Sequence, residues 1–386
     1  MAHALLSPSA SHRWLECTPS ARLESTFADT TSEYAEEGSL AHSLAELELR
    51  RHFGLVSTEA YENGLEAIQA HALFSPSMRD HIDVYVALVA RSHAEALQKS
   101  DVNMAFETRV DITPWVKECF GTADAILVSD GLLEIIDFKY GKGVPVQARD
   151  NPQMKLYALG AYNTFSQIYI FDTIKMTICQ PRLDSMSSYE ISLTKLLRWA
   201  DKTLKPKAAL AHAGLGDYKP GEHCRFCRAE AVCRARADAN LALAAADFYN
   251  APAATLTPDE IAQVLTRAAE LQHWVGAIEA YAHDQAVNHG VTYPGWKVVE
   301  GRSNRCYLDK ELVASALIQG GCATDEIYKT ELLGITALES AIGKKRLAKL
   351  AGSLIVKPPG KPVLVPESDK RAAISSLAAA QNDFND

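Results

Sequence analysis

Two short segments hold the residues with most chemistry in them: Gly121-Thr-Ala-Asp124, and, one turn later, Glu134-Ile-Ile-Asp137-Phe138-Lys139. In a strand, side chains two residues apart share a face, so Asp137 and Lys139 point the same way. Ser129-Asp130-Gly131 between the segments reads as a tight turn that pairs the two strands and can bring Asp124 beside them. Two carboxylates forced together repel, and desolvating them is costly; a divalent cation removes the conflict. Hard carboxylate oxygens suit Mg²⁺ or Mn²⁺, which can bind an attacking water, lower its pKa and neutralise charge on a phosphodiester. Lys139 would orient that water or stabilise the developing negative charge. Asp-x-Lys alone is common, and its bland alternative is a surface hairpin with an ordinary ion pair.

Further groups bear on that choice. His42 lies upstream on a helix face shared with Glu46, and an imidazole can be a neutral metal ligand or a proton acceptor. Gln153 and Tyr157 stand four apart on the helix after the hairpin, hence on one face, where amide and phenol could contact DNA phosphate or fix Lys139. Taken singly, a helical histidine is a packing residue and a Gln/Tyr pair an amphipathic rim; the combination gives them weight.

The elements that must position these groups can be read from the pattern. Ser7 to about Arg51 reads as helical, with Ser7 or Ser9 as caps and a second amphipathic run through Leu40, Leu44 and Leu47. Met78 to Gln98 continues as helix. Phe106–Val110, Thr122–Val128 and Leu132–Lys139 read as strands, and Asn151-Pro152 caps a helix reaching about Thr164. A further strand is expected at Ile174–Gln180, giving an α/β core of a central mixed sheet flanked by helices. Beyond Asp238 an Ala-rich stretch leads to Thr257-Pro258-Asp259-Glu260, a capping-box start for a helix reaching about Asn288 and stopped by Gly290. Trp296–Glu300 reads as a strand, Asp309–Ile318 and Thr336–Leu350 as helices, and the Pro-rich run 358–362 as an extended breaker. The domain boundary is set near residue 240, with a mainly helical region over 241–386.

Composition bounds the function. A chain of 386 residues suits one large or two modest domains, and 47% hydrophobic with 23% charged residues is ordinary for a globular protein. No stretch approaches the roughly 18 apolar residues that span a bilayer. Met1–Pro8 shows no secretory pattern, so the expected compartment is the cytoplasm. The net charge of −9 argues against a surface coated in positive charge, yet Lys195 to Arg236 carries ten basic against four acidic residues, locally +6. That segment is either a solvated surface or a phosphate path.

Eight cysteines in such a chain are expected to be thiols or metal ligands rather than a disulfide framework. Cys119, Cys179, Cys306 and Cys322 are unclustered and read as buried packing residues. Cys224-Arg-Phe-Cys227 and Cys233 form a close group, and Cys17 can complete a four-cysteine site if the two parts of the chain meet. Spacing leaves an iron–sulfur cluster and zinc both open, and His223 offers an alternative nitrogen ligand. Arg225, Arg228, Arg234 and Arg236, interleaved with the ligands, could bring positive charge near a DNA path. In the C-terminal third, Leu333-Gly334-Ile335, Thr336-x-x-Glu339 and Lys344-Lys345-Arg346 fit either a DNA-contacting helical hairpin or a capped packing helix with a basic end.

The order His42, Gly121-x-x-Asp124, Asp137-x-Lys139, Gln153-x-x-x-Tyr157 resembles RecB-type nucleases of the PD-(D/E)xK superfamily, over roughly residues 5 to 240. The resemblance implies a restriction-endonuclease-like core in which His42, Asp124 and Asp137 bind metal, Lys139 assists catalysis, and Gln153 and Tyr157 support the site. Tyr140 departs from the Thr or Ser that often follows the lysine, which bears on DNA contact. The run Leu6 to Cys17 resembles the opening of iron–sulfur RecB-like and CRISPR-associated nucleases, with Thr18 where those proteins more often carry Pro. It implies a structural [4Fe–4S] cluster on Cys17, Cys224, Cys227 and Cys233, with Zn²⁺ as the alternative. The whole arrangement is similar to phage and prophage nuclease-like proteins. The expected function is a metal-dependent deoxyribonuclease acting on DNA ends or single strands in recombination, repair or phage DNA processing, in a bacterial host cell, with phage or host recombination proteins as partners and no membrane. The rivals are a non-catalytic DNA-binding or assembly factor that keeps the nuclease fold, and a zinc-stapled interaction protein.

Overall fold

A computed structural model describes residues 4–28, 32–246, 258–299, 309–320, 323–328 and 332–355. A 3₁₀ turn at Pro8–Ala10 leads into helices α1 (Ser11–Glu16), α2 (Ser20–Glu24), α3 (Glu33–His52), α4 (Thr58–Gln69) and α5 (Pro76–Leu97). Strands β1 (Asn103–Asp111), β2 (Phe120–Ser129) and β3 (Gly131–Phe138) follow, then α6 (Pro152–Phe165), β4 (Phe171–Gln180) and β5 (Ser185–Ser192). The helical remainder comprises α7 (Leu193–Trp199), a π turn at Ala200–Leu204, α8 (Lys205–Ala213), a 3₁₀ turn at Glu222–Phe226, α9 (Arg234–Ala246) and α10 (Pro258–His289). Four shorter helices follow: α11 (Lys310–Gln319), α12 (Thr324–Ile327), α13 (Ile335–Ile342) and α14 (Lys344–Ala351). Among the described residues no helix is long and apolar enough to cross a membrane.

The five strands form one sheet in the order β1-β2-β3-β4-β5, parallel between β3 and β4 and antiparallel elsewhere. This is the α/β architecture expected: a mixed sheet flanked by helices, followed by a helical C-terminal region. A sheet covered on both faces must be apolar on both, and β3 is: Leu133 and Ile135 pack into the core beneath α6, while Ile136 and Phe138 pack beneath α3 and α5. The β2–β3 turn closes on Gly131 at φ +84°, a conformation that favours glycine. Asn151 caps α6 by accepting the Met154 N–H at 3.2 Å, and Pro152 opens the helix. The helix can lie close on β1 because Gly160 has no side chain: a Cβ there would come within 2.8 Å of Val110.

Several expectations are corrected. Ser7 occupies the cap position of the first turn but makes no capping bond; its hydroxyl faces Ser9 at 3.3 Å. The N-terminal helical stretch is broken by the turn at Cys17-Thr18-Pro19. Helix α4 and strand β5 join the expected elements. Trp296–Val299 is irregular and exposed rather than a strand, because no strand among the described residues pairs with it; Glu300 lies outside the described residues. The helix expected at Thr336–Leu350 is two, divided at Gly343 with φ +84°. This hairpin docks on α5: Asp80 accepts the Lys344 N–H at 3.1 Å, and Lys345 pairs with Asp83 at 2.7 Å. Its basic end is thereby engaged with carboxylates. Thr257, the Pro-rich run, Cys306 and Cys322 fall outside the described residues.

Candidate functional site

The β2–β3 hairpin pairs Ala125 with Ile136, which brings Asp124 alongside Asp137. The Phe138 N–H donates to Asp124 Oδ2 at 2.6 Å and holds that carboxylate in place. Helix α3 supplies His42, whose ring meets Phe138 edge-on with centroids 5.3 Å apart. His42 Nδ1 lies 3.4 Å from Asp124 Oδ1 and 3.4 Å from Glu107 Oε1. The three ligand atoms of His42, Glu107 and Asp124 lie within 4.8 Å of one another, the geometry a small cation needs.

Glu107 was not among the expected residues. It stands on β1 opposite Asp124: Phe106 pairs with Ala125 and Thr108 with Ala123 in one unbroken register, and Glu107 between them adopts φ +44°. A non-glycine residue at positive φ within a strand is strained, and such strain tends to gather at functional sites. No spacing rule exposes such a backbone conformation in the sequence.

Asp137 lies outside that compact triple but beside it, at 2% exposure. Its Oδ1 accepts from Lys139 Nζ at 3.3 Å and Gln153 Nε2 at 3.4 Å. Its Oδ2 lies 3.1 Å from Lys139 Nζ, yet no hydrogen bond is directed at it. A buried carboxylate oxygen without a donor is a costly arrangement, and a cation relieves it. Lys139 Nζ also donates to Gln153 Oε1 at 3.2 Å, and Gln153 Nε2 reaches the Tyr157 hydroxyl at 3.3 Å. Gln153 on the Asn151-capped helix α6 thus holds the lysine, one of the two roles open to it from the sequence.

The charges are mutually adjusted. Burial alone would lower the pKa of His42, but hydrogen bonds to Asp124 and Glu107, with their charges, outweigh it and raise it to about 10. Burial pushes Asp137 up to about 6, against the pull of Lys139 and with the repulsion of Asp124. Burial also raises Glu107. Lys139 is lowered by burial, but the charges of Asp137 and Asp124 win and hold it above its ordinary value. Burial and the charge of Asp137 push Tyr157 well up, so its phenol stays protonated. The proton on His42 balances Glu107 and Asp124; a divalent cation can replace it and release it.

Gly121 explains its own place in the motif. A Cβ there would come within 2.8 Å of both Pro8 and Tyr157, so only glycine lets the N-terminal turn and α6 meet on β2. Tyr140 is buried against Phe138, with the Arg182 guanidinium 4.4 Å above its ring and Arg182 paired to Glu37 at 2.9 Å. It packs inside the protein rather than facing a ligand.

The two parts of the chain that carry the cysteines meet. Thr18 donates its hydroxyl to the Leu215 carbonyl at 2.6 Å, Arg22 Nε to the His212 carbonyl at 2.7 Å, and the Arg228 N–H to Glu24 at 3.1 Å. These bonds close the two parts of the chain on each other. Cys17, Cys224, Cys227 and Cys233 then line one cavity of about 20 Å³, together with His223, Glu230, Arg13 and Arg236. Burial pushes the Cys227 thiol up to about 12. His223 Nε2 bonds the Lys219 carbonyl at 2.8 Å, and a hydrogen bond with Cys17 raises its pKa. Arg236 is corrected: at 2% exposure it faces the cavity rather than solvent. In the same basic segment, Lys205 pairs with Asp201 at 2.7 Å, and Lys207 lies 4.0 Å from Glu16. Cys119 and Cys179 are buried packing residues, as expected.

A family profile described as "Protein of unknown function (DUF2800)" matches residues 3–372. The chain belongs to the DUF2800 family. The match runs through both the sheet-bearing region and the helical region beyond residue 240. A solved structure titled "Crystal structure of SSO0001" is similar over 59% of this chain and 97% of its own, at 15% identity and a TM-score of 0.23. A likeness at that level carries no argument.

Proposed function

We propose that this chain is a divalent-metal-dependent deoxyribonuclease with a RecB-like PD-(D/E)xK site, acting on DNA ends or single strands. The observation that carries the reading is the buried Asp137 carboxylate, one oxygen lacking a directed hydrogen bond, set between Lys139 and the His42–Glu107–Asp124 triple. Such a set suits Mg²⁺ or Mn²⁺ and has little purpose as packing. His42, Asp124 and Asp137 would hold the ion, with Glu107 added to the set expected from the motif. When bound, the ion would supply Lewis acidity to a phosphodiester and a lowered pKa to its water. Lys139, oriented by Gln153, places an ammonium where negative charge develops on the phosphoryl oxygens. Tyr157 keeps Gln153 in position and, protonated, adds no charge. The DNA substrate, the role in phage or host recombination and the bacterial cytoplasm as compartment rest on the motif resemblance.

The same reading assigns a structural [4Fe–4S] cluster to Cys17, Cys224, Cys227 and Cys233. Zinc is the second occupant.

The test is direct. Anaerobically purified protein is assayed on labelled single- and double-stranded DNA with Mg²⁺ or Mn²⁺, beside Asp137→Ala and Lys139→Ala. Metal-dependent cleavage lost in both variants is the expected outcome; no cleavage by the wild type, or undiminished cleavage in both variants, overturns the reading. Stoichiometric zinc in a colourless protein would overturn the cluster alone.

A further inference from the structure

Arg236 stands on the first turn of α9, three residues beyond Cys233, and lines the cavity of the four cysteines. Its Nη1 donates to the Cys224 carbonyl at 3.2 Å and pairs with Glu230 at 2.7 Å. Its Nε is buried with no hydrogen-bond partner. A permanently charged guanidinium at 2% exposure with an N–H left over is one of the costliest groups a protein interior can hold. Glu230 does not fully answer it, since that carboxylate also binds His273 Nε2 at 3.1 Å. The other arginine lining the cavity, Arg13, has its Nε committed to Glu24 at 3.1 Å. Arg236 therefore carries both an uncommitted donor and a buried positive charge beside four thiols.

We propose that Arg236 is the positioning residue of a metal–thiolate centre in this cavity: its Nε–H donates to a thiolate or inorganic sulfur, and its charge offsets the centre's excess negative charge. The inference rests on the proposed metal occupancy of the four cysteines. Four thiolates around a doubly charged ion or cluster core leave roughly two negative charges uncompensated in a poorly solvated pocket. Sulfur accepts hydrogen bonds, and such bonds and nearby cations set both the retention and the reduction potential of the centre. Without the centre, the orphan donor has no counterpart; with it, both requirements meet. The pocket supplies opposing controls, because Glu230 tempers the same guanidinium.

The experiment compares full-length wild type, Arg236→Gln, Arg236→Lys and Glu230→Gln, all purified anaerobically. Iron, sulfide and zinc per chain, the rate of metal loss to a chelator and, for a cluster, the midpoint potential are measured. Arg236→Gln is expected to lose metal about tenfold faster or more, the usual effect of removing an outer partner of a metal ligand. For a cluster, its potential should fall, because the more negative reduced state loses its compensating cation. Arg236→Lys, which keeps the charge without the planar donor, should lie between, and it serves if the Gln variant fails to fold. Glu230→Gln should move the potential upward; a purely structural role for the pair would loosen the pocket in both variants alike. Metal in the wild type with unchanged retention in both Arg236 variants overturns the role of Arg236 alone. Wild type with neither iron nor zinc overturns the occupancy and the inference together.

Discussion

His42, Glu107, Asp124 and Asp137 are carried by one long helix and three strands of a single sheet, whereas Cys17, Cys224, Cys227 and Cys233 sit on turns and helix ends from segments joined across a separation of 204 residues. The carboxylate site is preset by the strand ladder, with its three carboxylates partly balanced by the His42 proton and by Lys139. The cysteine pocket has no ladder beneath it and holds a buried arginine that its surroundings only partly satisfy. The two sites therefore depend on a ligand in different ways. The first should keep its shape without metal and lose only activity; the second should lose shape with its metal, because binding energy there is also folding energy.

The sharpest way to break that contrast is Cys224→Ser. We expect loss of the bound metal, destabilisation of roughly 4 kcal/mol or more, and new protease cleavage between α8 and α9. Melting curves and limited proteolysis read it, and a melting temperature equal to wild type would remove the distinction. Asp124→Asn should do the reverse. Cleavage falls by about 10²–10³-fold, the usual loss of one charge-stabilising group, while melting in EDTA stays within about 1 kcal/mol of wild type.

Gly121→Ala tests the link between the two regions. The added Cβ would meet Pro8 and Tyr157 at 2.8 Å, and the Pro8 turn leads directly into α1 and Cys17. Overpacking there should cost about 1–3 kcal/mol in urea unfolding and lower both cleavage and metal content. An effect confined to one region would show that they are mechanically independent.

The smallest effect is a slope. Since His42 titrates at about 10 without metal, ion binding near neutral pH must expel its proton, and the affinity should rise about tenfold per pH unit between pH 7 and 9. Below about pH 6, Asp137 must also lose a proton, and the slope should approach two. The sign for metal-free stability is opposite. His42 is raised in the folded protein, so its contribution is fully present below its unfolded pKa near 6.5 and is lost as pH rises through about 10. Calorimetry in buffers of different ionisation enthalpy measures the released proton, and a pH-independent affinity would contradict the assignment of His42 as ligand.

Much of the scaffold was legible because it rests on local rules. Ser129-Asp130-Gly131 specifies its turn, Asn151-Pro152 its cap, and the near-continuous apolar run of β3 its double burial. Strand β5 was hidden because Ser-Met-Ser-Ser-Tyr-Glu-Ile-Ser is poor in apolar residues and pairs with β4 alone, on the sheet edge. Trp296–Val299 misled in the opposite way: its β-branched residues fit a strand, but a strand needs a partner.

The order of residues alone settles which groups are available: carboxylate and lysine two apart on one strand, amide and phenol four apart on one helix, three thiols within ten residues. It does so because helix and strand periods act over a few residues. Only the tertiary structure decided that Glu107 joins His42 and Asp124, that Cys17 reaches Cys224, and that Arg236 turns inward rather than toward solvent. Each of those depends on how strands and helices align or on a closure between distant segments, and such contacts are set by the packing of whole elements, which no local spacing encodes.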